Sequence, residues 1–473
     1  MSIIIPANSA VGGGFEVANG VRFDDGSSSN FTDGSAPGGN RQKFTWSAWF
    51  KRSSIGATQI LASSSYSGSD QGYLYFNSGN GLGWQSNNSG DGDLNTAMLF
   101  RDTGAWYHVV FSVDTTQGTA TNRIKLYING SQYTWDGSNT TPPNLNQSLY
   151  FNVGGSYNSY IGRRAGGDYF DGYMSEIVFI DNAQLAADSF GEFDSDSGVW
   201  KPLESVADLT FGTSGYYLNF QNSSALGTDV SGVGNTFTAN NLAAIDQTTD
   251  TCTNNFATWN PLDVVLGTNA PLENGNTTYK KTATGSTTSG SRMGTIGVSS
   301  GKWYWEFKSN NIINYITGII RVNHAPSAGL QGWLANDAGA YGLYDGGGQK
   351  TVAGTVSADS NVADWGSTVA GIAIDLDNGK FYSHVNGTYM NSGDPTSGAT
   401  GTGSLMNISL TNTYEPWVCN QDYNQANDID YNFGNPAFAI SSSNADGNGY
   451  GNFEFAVPSG YFALCTKNLA EYG

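Results

Sequence analysis

Residues 106–135 read WYHVVFSVDTTQGTATNRIKLYINGSQYTW. Side chains of a strand point alternately to opposite faces, so Tyr107, Val109, Phe111 and Val113 share one side. IKLYINGSQYTW at 124–135 runs strand, turn, strand, because Asn129-Gly130 suits the two positive φ angles of a type I′ hairpin. The same pattern extends in both directions. FTWSAWF at 44–50 places Phe44, Trp46, Ala48 and Phe50 together. IVFI at 177–180 is continuously apolar, as expected of a strand buried on both sides. GKWYWEFKS at 301–309 puts Trp303, Trp305 and Phe307 inward, with Tyr304, Glu306 and Lys308 outward. AGIAIDLDNGKFYSHVNGTYM at 370–390 carries turn signals at Asp377-Asn378-Gly379 and Asn386-Gly387. IDYNFGNPAF at 429–438 and GYFALCTKN at 460–468 add late strands. AQLAADSFGE at 183–192, after Asn182 as N-cap, predicts one short helix. The prediction is an all-β chain built as two β-sandwich domains joined by an ordered connector.

Composition agrees. The 473 residues include 63 glycines, 13% aromatics and only 13% charged residues, against about 25% charged in an ordinary soluble domain. Disordered chains lack such aromatic content, and exposed helices need more Lys, Glu and Arg. The predicted domains are 1–204, a segment 205–262, and 263–473. The middle segment is rich in Asn, Thr and Ser. It also carries Tyr216, Tyr217, Phe220, Phe237, Phe256 and Trp259, which predicts an ordered connector packed along the domains.

A formal charge of −20 excludes wrapping of nucleic acid, which needs clustered Lys and Arg, and disfavours an anionic membrane surface. It is compatible with divalent cations or basic partners. Cys252, Cys419 and Cys465 are scattered, so neither a disulfide framework nor a zinc site is expected. The opening MSIIIPANSA has no basic residue before Arg22, and Pro6 cuts its apolar run, so no secretory signal peptide is expected. No run reaches the roughly 18 apolar residues of a membrane span. Synthesis in a cytoplasm is the expectation, with export by another route such as lysis.

No catalytic residue is expected. Glu192-Phe193-Asp194-Ser195-Asp196 is the nearest approach to a glycosidase carboxylate pair and lacks the last Glu; retaining enzymes need two carboxylates about 5–5.5 Å apart. Gly297-Val298-Ser299-Ser300-Gly301 precedes a strand, whereas a nucleophile elbow opens a helix. His108, His324 and His384 lie far apart in strand or loop patterns. Gly346-Gly347-Gly348-Gln349-Lys350 lacks the spacing of a phosphate loop. Asp194-Ser195-Asp196-Ser197-Gly198 and Asp375-Leu376-Asp377-Asn378-Gly379 fail as EF-hand loops, since position 12 would be Ser205 or Asn386 instead of Glu. Sugars stack on exposed aromatics, for which the loops offer Tyr66, Trp84, Trp135, Tyr157 and Tyr160. Ile3-Ile4-Ile5-Pro6 reads two ways: a strand added to a partner's sheet edge, or the first strand of its own domain.

FTWSAWFK, WYHVVFSVD, IKLYINGSQ and FDGYMSEIVFID, in that order over about the first 200 residues, resemble a laminin-G-like, concanavalin-type jelly roll. SSGKWYWEF, YGLYD, VAGIAIDLDNGKFYSHVNG, YEPWV and IDYNFGNPAF look like a SPRY domain. The whole order, with TNNFATWNPL between them and SGYFALCTKNL at the end, resembles virion proteins of marine tailed bacteriophages of the tail-fibre, capsid-fibre or decoration type. The cysteines of animal laminin-G domains are missing. The jelly-roll resemblance implies a rim calcium, for which Asp91, Asp93 and Asp168 are the candidates. The SPRY resemblance implies a protein-binding face of loops near Tyr344, Asp345 and Trp365.

The function expected is a non-enzymatic structural component displayed on a phage virion. It would bind other virion proteins of capsid or tail, and host-surface glycan or protein as a second ligand, as a monomer or homo-oligomer. A lectin-like adhesin and a glycoside hydrolase are the alternatives.

Overall fold

The computed structural model describes residues 14–34, 37–66, 70–86, 91–135, 140–265, 271–281, 290–309, 315–324, 334–420 and 427–473. The expected anchor Ile3, Ile4, Ile5 and Pro6 lies outside them. The chain forms two compact units, with described parts Gly14–Thr253 and Asn254–Gly473. Both are all-β sandwiches.

In the N-terminal unit, the first sheet runs in space Ser131–Tyr133, Ile124–Ile128, Tyr107–Asp114, Lys43–Arg52, Gly172–Asp181, Gly20–Phe23, Gln247–Thr248. Tyr216–Leu218 also pairs with Gly172–Asp181. The second sheet runs Thr140–Thr141, Gly92–Leu99, Gly81–Ser86, Gln71–Phe76, Gln59–Ser65, Asn158–Ile161, Asn30–Asp33, Thr238–Asn240. Between the sheets, Phe44, Trp46, Ala48 and Phe50 meet Leu74, Phe76, Leu82 and Trp84, as alternation requires. Asn129 and Gly130 take φ of 46° and 80°, the two positive angles of the predicted turn.

The stretch 205–262 expected as a connector is divided: 205–253 is part of this unit, and 254–262, with Phe256 and Trp259, belongs to the C-terminal unit. The first part supplies Tyr216–Leu218 and Gln247–Thr248 to the first sheet and Thr238–Asn240 to the second. Tyr216, Leu218, Phe220 and Phe237 join the central core. The first sheet is buried on its other face too. Trp49, Val110, Tyr173, Val178 and Ile180 pack there under Phe190, Trp200, Val206 and Tyr217, which explains the unbroken apolar run 177–180.

The helix expected over 183–192 is corrected. Only Ala187–Ser189 forms one 3-10 turn. Gly191–Phe193 is already a strand paired with Trp200–Pro202, because burying Phe190 and Trp200 over the first sheet outweighs weak helix propensity.

In the C-terminal unit, one sheet runs Trp259–Val265, Ser291–Gly294, Tyr414–Asn420, Tyr315–Arg321, Tyr341–Tyr344, Gln349–Val352, Thr355–Ala358. The other centres on Lys302–Ser309, flanked by Asn427–Asn432 and Val369–Asp375. Trp303, Trp305 and Phe307 face the core. Their neighbours Tyr304 and Glu306 turn outward but are buried under Phe453, Tyr461 and the chain around them. Glu306 accepts the backbone N–H groups of Glu454 and Phe455, each at 2.8 Å. Asn386 and Gly387 again show positive φ, 50° and 78°. The chain closes with the helix Thr466–Tyr472. Among the described residues, no helix is long and apolar enough to cross a membrane. The three cysteines are buried and form no disulfide among the described residues.

Candidate ligand-binding face

The second sheet of the N-terminal unit turns Leu74, Phe76, Leu82, Trp84, Leu94 and Ile161 into the core. Its alternate residues face away, and register places them in line. One row crosses the sheet: Thr238 beside Thr32, then Tyr160, Ser63, Tyr73, Gln85, Asp93 and Thr141. One step along the strands, Tyr75 stands beside Gly83 and Gly83 beside Asn95. A Cβ on Gly83 would lie 2.7 Å from the Tyr75 ring and 2.6 Å from Asn95 Oδ1. Glycine there lets the tyrosine lie across the sheet and reach Asn95, to which its hydroxyl donates at 3.4 Å.

The hydroxyl of Tyr73 donates to Gln85 Oε1. Asn95 donates to Asp93 at 3.0 Å. Burial pushes the Tyr75 hydroxyl up to about 12, with Asp93 adding to it. Burial raises Tyr73 as well, against the pull of Arg164. Both rings therefore stay neutral and keep a donor proton.

The loop after Asn158–Ile161 folds over this surface. Arg163 lies 5.0 Å from the Tyr160 ring and 5.3 Å from that of Tyr169. Arg164 sits 5.1 Å over Tyr73 and is bridged to Asp168 at 2.6 Å. Ser63 Oγ holds the loop by donating to the Arg163 carbonyl at 2.8 Å. A water-sized space of about 20 Å³ beside Ser63 and Tyr160 is lined also by the core residues Phe151, Phe179, Tyr216 and Phe237. Tyr73 is 7% exposed and lies under Arg164, so what a ligand meets is Arg163 and Arg164 with the half-buried Tyr75, Gln85, Asp93 and Tyr160. Guanidinium donors and amide and carboxylate acceptors placed together on one face are the polar groups that take sugar hydroxyls.

Of the residues picked from sequence, Tyr160 and Asp93 lie in this row, and Asp168 borders it through Arg164. Tyr66 and Tyr157 fall outside the row: they flank the strands Gln59–Ser65 and Asn158–Ile161, one register step beyond Ser65 and Asn158, with their rings 5.5 Å apart. Trp135 packs its ring on the core beside Tyr133. Trp84 is a correction: it points between the sheets and is 1% exposed. Trp365 and Tyr344 are likewise interior, and Asp345 is buried, accepting the Trp365 N–H at 3.3 Å, so these three present no face to a ligand. Sequence reading missed Tyr73 and Tyr75. The signal was the alternation in QGYLYF at 71–76, where Tyr and Leu or Phe take opposite faces.

The calcium candidates do not converge. Asp91 accepts from Gln147 at 3.0 Å, Asp93 from Asn95, and Asp168 is paired with Arg164. Among the described residues, Asp24, Asp25 and Asp171 instead bring ligand atoms within 4.8 Å of one another. Such hard oxygen donors are the type calcium takes. Burial and then the charge of Asp25 push Asp171 up to about 7, while Ser54 and Arg52 pull the other way.

The histidines are fixed by their donors. Trp200 Nε1 donates to His108 Nδ1 at 3.0 Å, so His108 Nε2 carries the proton and faces Ser47 Oγ at 2.9 Å. The Gly387 N–H donates to His384 Nδ1 at 3.2 Å, so Nε2 donates to Tyr304 at 2.7 Å. In both cases the imidazole gives a proton to the hydroxyl and cannot withdraw one.

Comparison with known proteins places the jelly roll. Residues 24–188 match the family model described as the Concanavalin A-like lectin/glucanases superfamily. No curated protein sequence matches the chain. Among solved structures, the chain is similar to the SPRY domain of human HERC1 at 12% identity, over 37% of this chain and 96% of that one, with a TM-score of 0.27. A putative carbohydrate binding protein from Bacteroides ovatus shares 17% identity over 48% of this chain and 59% of its own, at a TM-score of 0.32. Stonustoxin shares 15% identity over 37% of this chain, at a TM-score of 0.27, and only 27% of its length is covered.

Proposed function

We propose that this chain is a non-enzymatic carbohydrate-binding protein that works on the outside of a bacteriophage particle, with the tyrosine row of the N-terminal jelly roll as its glycan face. The observation that carries the binding reading is the lateral alignment of Tyr160, Tyr73, Gln85 and Asp93 across one sheet, with Tyr75 and Asn95 beside them. The match of residues 24–188 to a family of lectins and glucanases supports it. The non-enzymatic reading is supported by His108 and His384, whose protons point toward their hydroxyl partners. What supports the virion setting is the order of the sequence pieces along the chain.

Gold labelling of purified particles with an antibody to this protein tests the setting. Label on heads assigns a decoration or capsid-fibre role. Label on fibres or the tail tip makes host recognition the main task. Unlabelled particles produced from the genome that encodes this chain contradict the virion setting and leave a free lectin-like adhesin.

A further inference from the structure

We propose that Lys51 and Asp250 join covalently in the folded jelly roll, as an amide between the lysine amine and the aspartate side chain. Phe44, Trp46, Ala48 and Phe50 take the core face of Lys43–Arg52, so Lys51 stands with Trp49 on the opposite face. There it pairs in register with Tyr173, and Tyr173 pairs with Arg22. Asp250 follows the strand Gln247–Thr248 at the edge of the same sheet. The Lys51 ammonium donates to Asp250 Oδ2. It lies 4.5 Å from the centre of the Tyr173 ring and 5.9 Å from that of Trp106. Trp106 Nε1 donates to the other carboxylate oxygen, Asp250 Oδ1, at 3.0 Å. The two charged side chains are 1% and 0% exposed.

The surroundings favour condensation over a lasting ion pair. Taking two charges out of water is costly, and their mutual attraction does not always repay it. A neutral amide in the same place avoids that cost. Burial pushes the Lys51 ammonium down, against the pull of Asp250 and Asp102, and the free amine is the nucleophilic form. The step balances within the pair. One proton passes from Lys51 Nζ to Asp250 Oδ2, leaving a neutral amine and a neutral acid. The amine attacks Cγ while the Trp106 N–H holds Oδ1, where negative charge grows. The Cγ–Oδ2 bond then breaks, and Oδ2 leaves as water with a second proton from Nζ. No oxidant, reductant or further reactant enters. The fold holds the two groups in contact, which replaces a bimolecular encounter by an intramolecular one. The bond ties positions 199 residues apart, so it restrains most of the N-terminal unit against unfolding.

Intact-mass spectrometry of the full chain under denaturing conditions reads the bond directly. Wild type should fall about 18 Da below the mass of its sequence, the loss of one water. Proteolysis and tandem mass spectrometry should then find one peptide pair joined through Lys51 and Asp250. Lys51→Arg keeps the cation but has no nucleophilic amine, and it should show the full mass of its own sequence. Asp250→Ala should do the same. The linked peptide from wild type supports the bond whether or not the variants fold. Wild type at full sequence mass overturns the inference. So does a loss of water that persists in Lys51→Arg or that maps to any other residue.

Discussion

The indole N–H of Trp200 donates to Nδ1 of His108 across 3.0 Å, and that one bond sets the direction of the His108 proton. Burial pushes His108 down to about 3 and His384 down to about 4. In His324, burial opposes protonation but is outweighed by Glu415 at 3.6 Å and Asp263 at 3.8 Å, so its value is raised. Histidine-selective NMR should therefore show one ring titrating above the ordinary value and two that stay neutral down to about pH 4. Two or more rings titrating near pH 6.5 would contradict the assignment.

The sign for stability follows. His108 in the unfolded chain titrates near 6.5 and in the folded chain near 3, so the folded state binds fewer protons. Its contribution is complete above pH 6.5 and drains away as pH falls toward 3, by about 1 kcal/mol per pH unit over that window. Because the raised acids Glu176 and Asp171 act in the opposite sense over the same range, the check is differential: on acidification from pH 6.5 to 4, His108→Gln should lose less Tm than wild type.

Glu176 acts in the opposite sense. It accepts the Tyr217 hydroxyl, yet burial pushes its carboxyl up to about 7. The stability from this raised acid is complete below 4.5 and is lost as pH rises through 7. The backbone adds strain, because Glu176 takes φ of 51° at a bulge in the Gly172–Asp181 strand, a region unfavourable to any residue with a Cβ. Glu176→Gln keeps an acceptor for Tyr217 and removes the titration. Its Tm should decline less than that of wild type between pH 6 and 8.

Trp84 and Tyr75 sit on opposite faces of the second sheet and should fail differently. Trp84→Ala removes a ring from the core and should cost about 3–5 kcal/mol of stability, with ligand affinity retained by the molecules that fold. A Trp84→Ala protein of wild-type Tm would contradict the burial.

Gly83→Ala tests the close approach. The new methyl must displace the Tyr75 ring, for about 1–3 kcal/mol of strain. Glycan affinity should drop several-fold although no ligand-facing side chain is changed. Unaltered affinity would show that the position of Tyr75 is immaterial.

The strand pattern of the sandwich was legible in the sequence wherever one face is apolar, as in FTWSAWF and KWYWEF, because alternation survives translation into register. Two kinds of information were not. The first is a second covering layer: Tyr304 and Glu306 alternate outward as surface residues do, and only the return of residues 453–465 buries them. The segment 205–253 hides in the same way, since its apolar anchors are isolated in sequence and meet only across strands far apart in the chain. The second is lateral register. Tyr160, Tyr73 and Asp93 are separated in sequence and share a row only through the pairing of five strands. A loop reading picks exposed-looking aromatics and so chose Trp84, whose strand turns it inward.

The most direct test of the glycan face is native gel retardation of the full chain by a β-1,3-glucan, a β-1,4-mannan and alginate, comparing wild type with Tyr75→Ala/Tyr160→Ala. The account predicts retardation of the wild type by at least one polymer and its loss in the variant, with cooperative unfolding preserved. A folded variant retarded as strongly as wild type would contradict it.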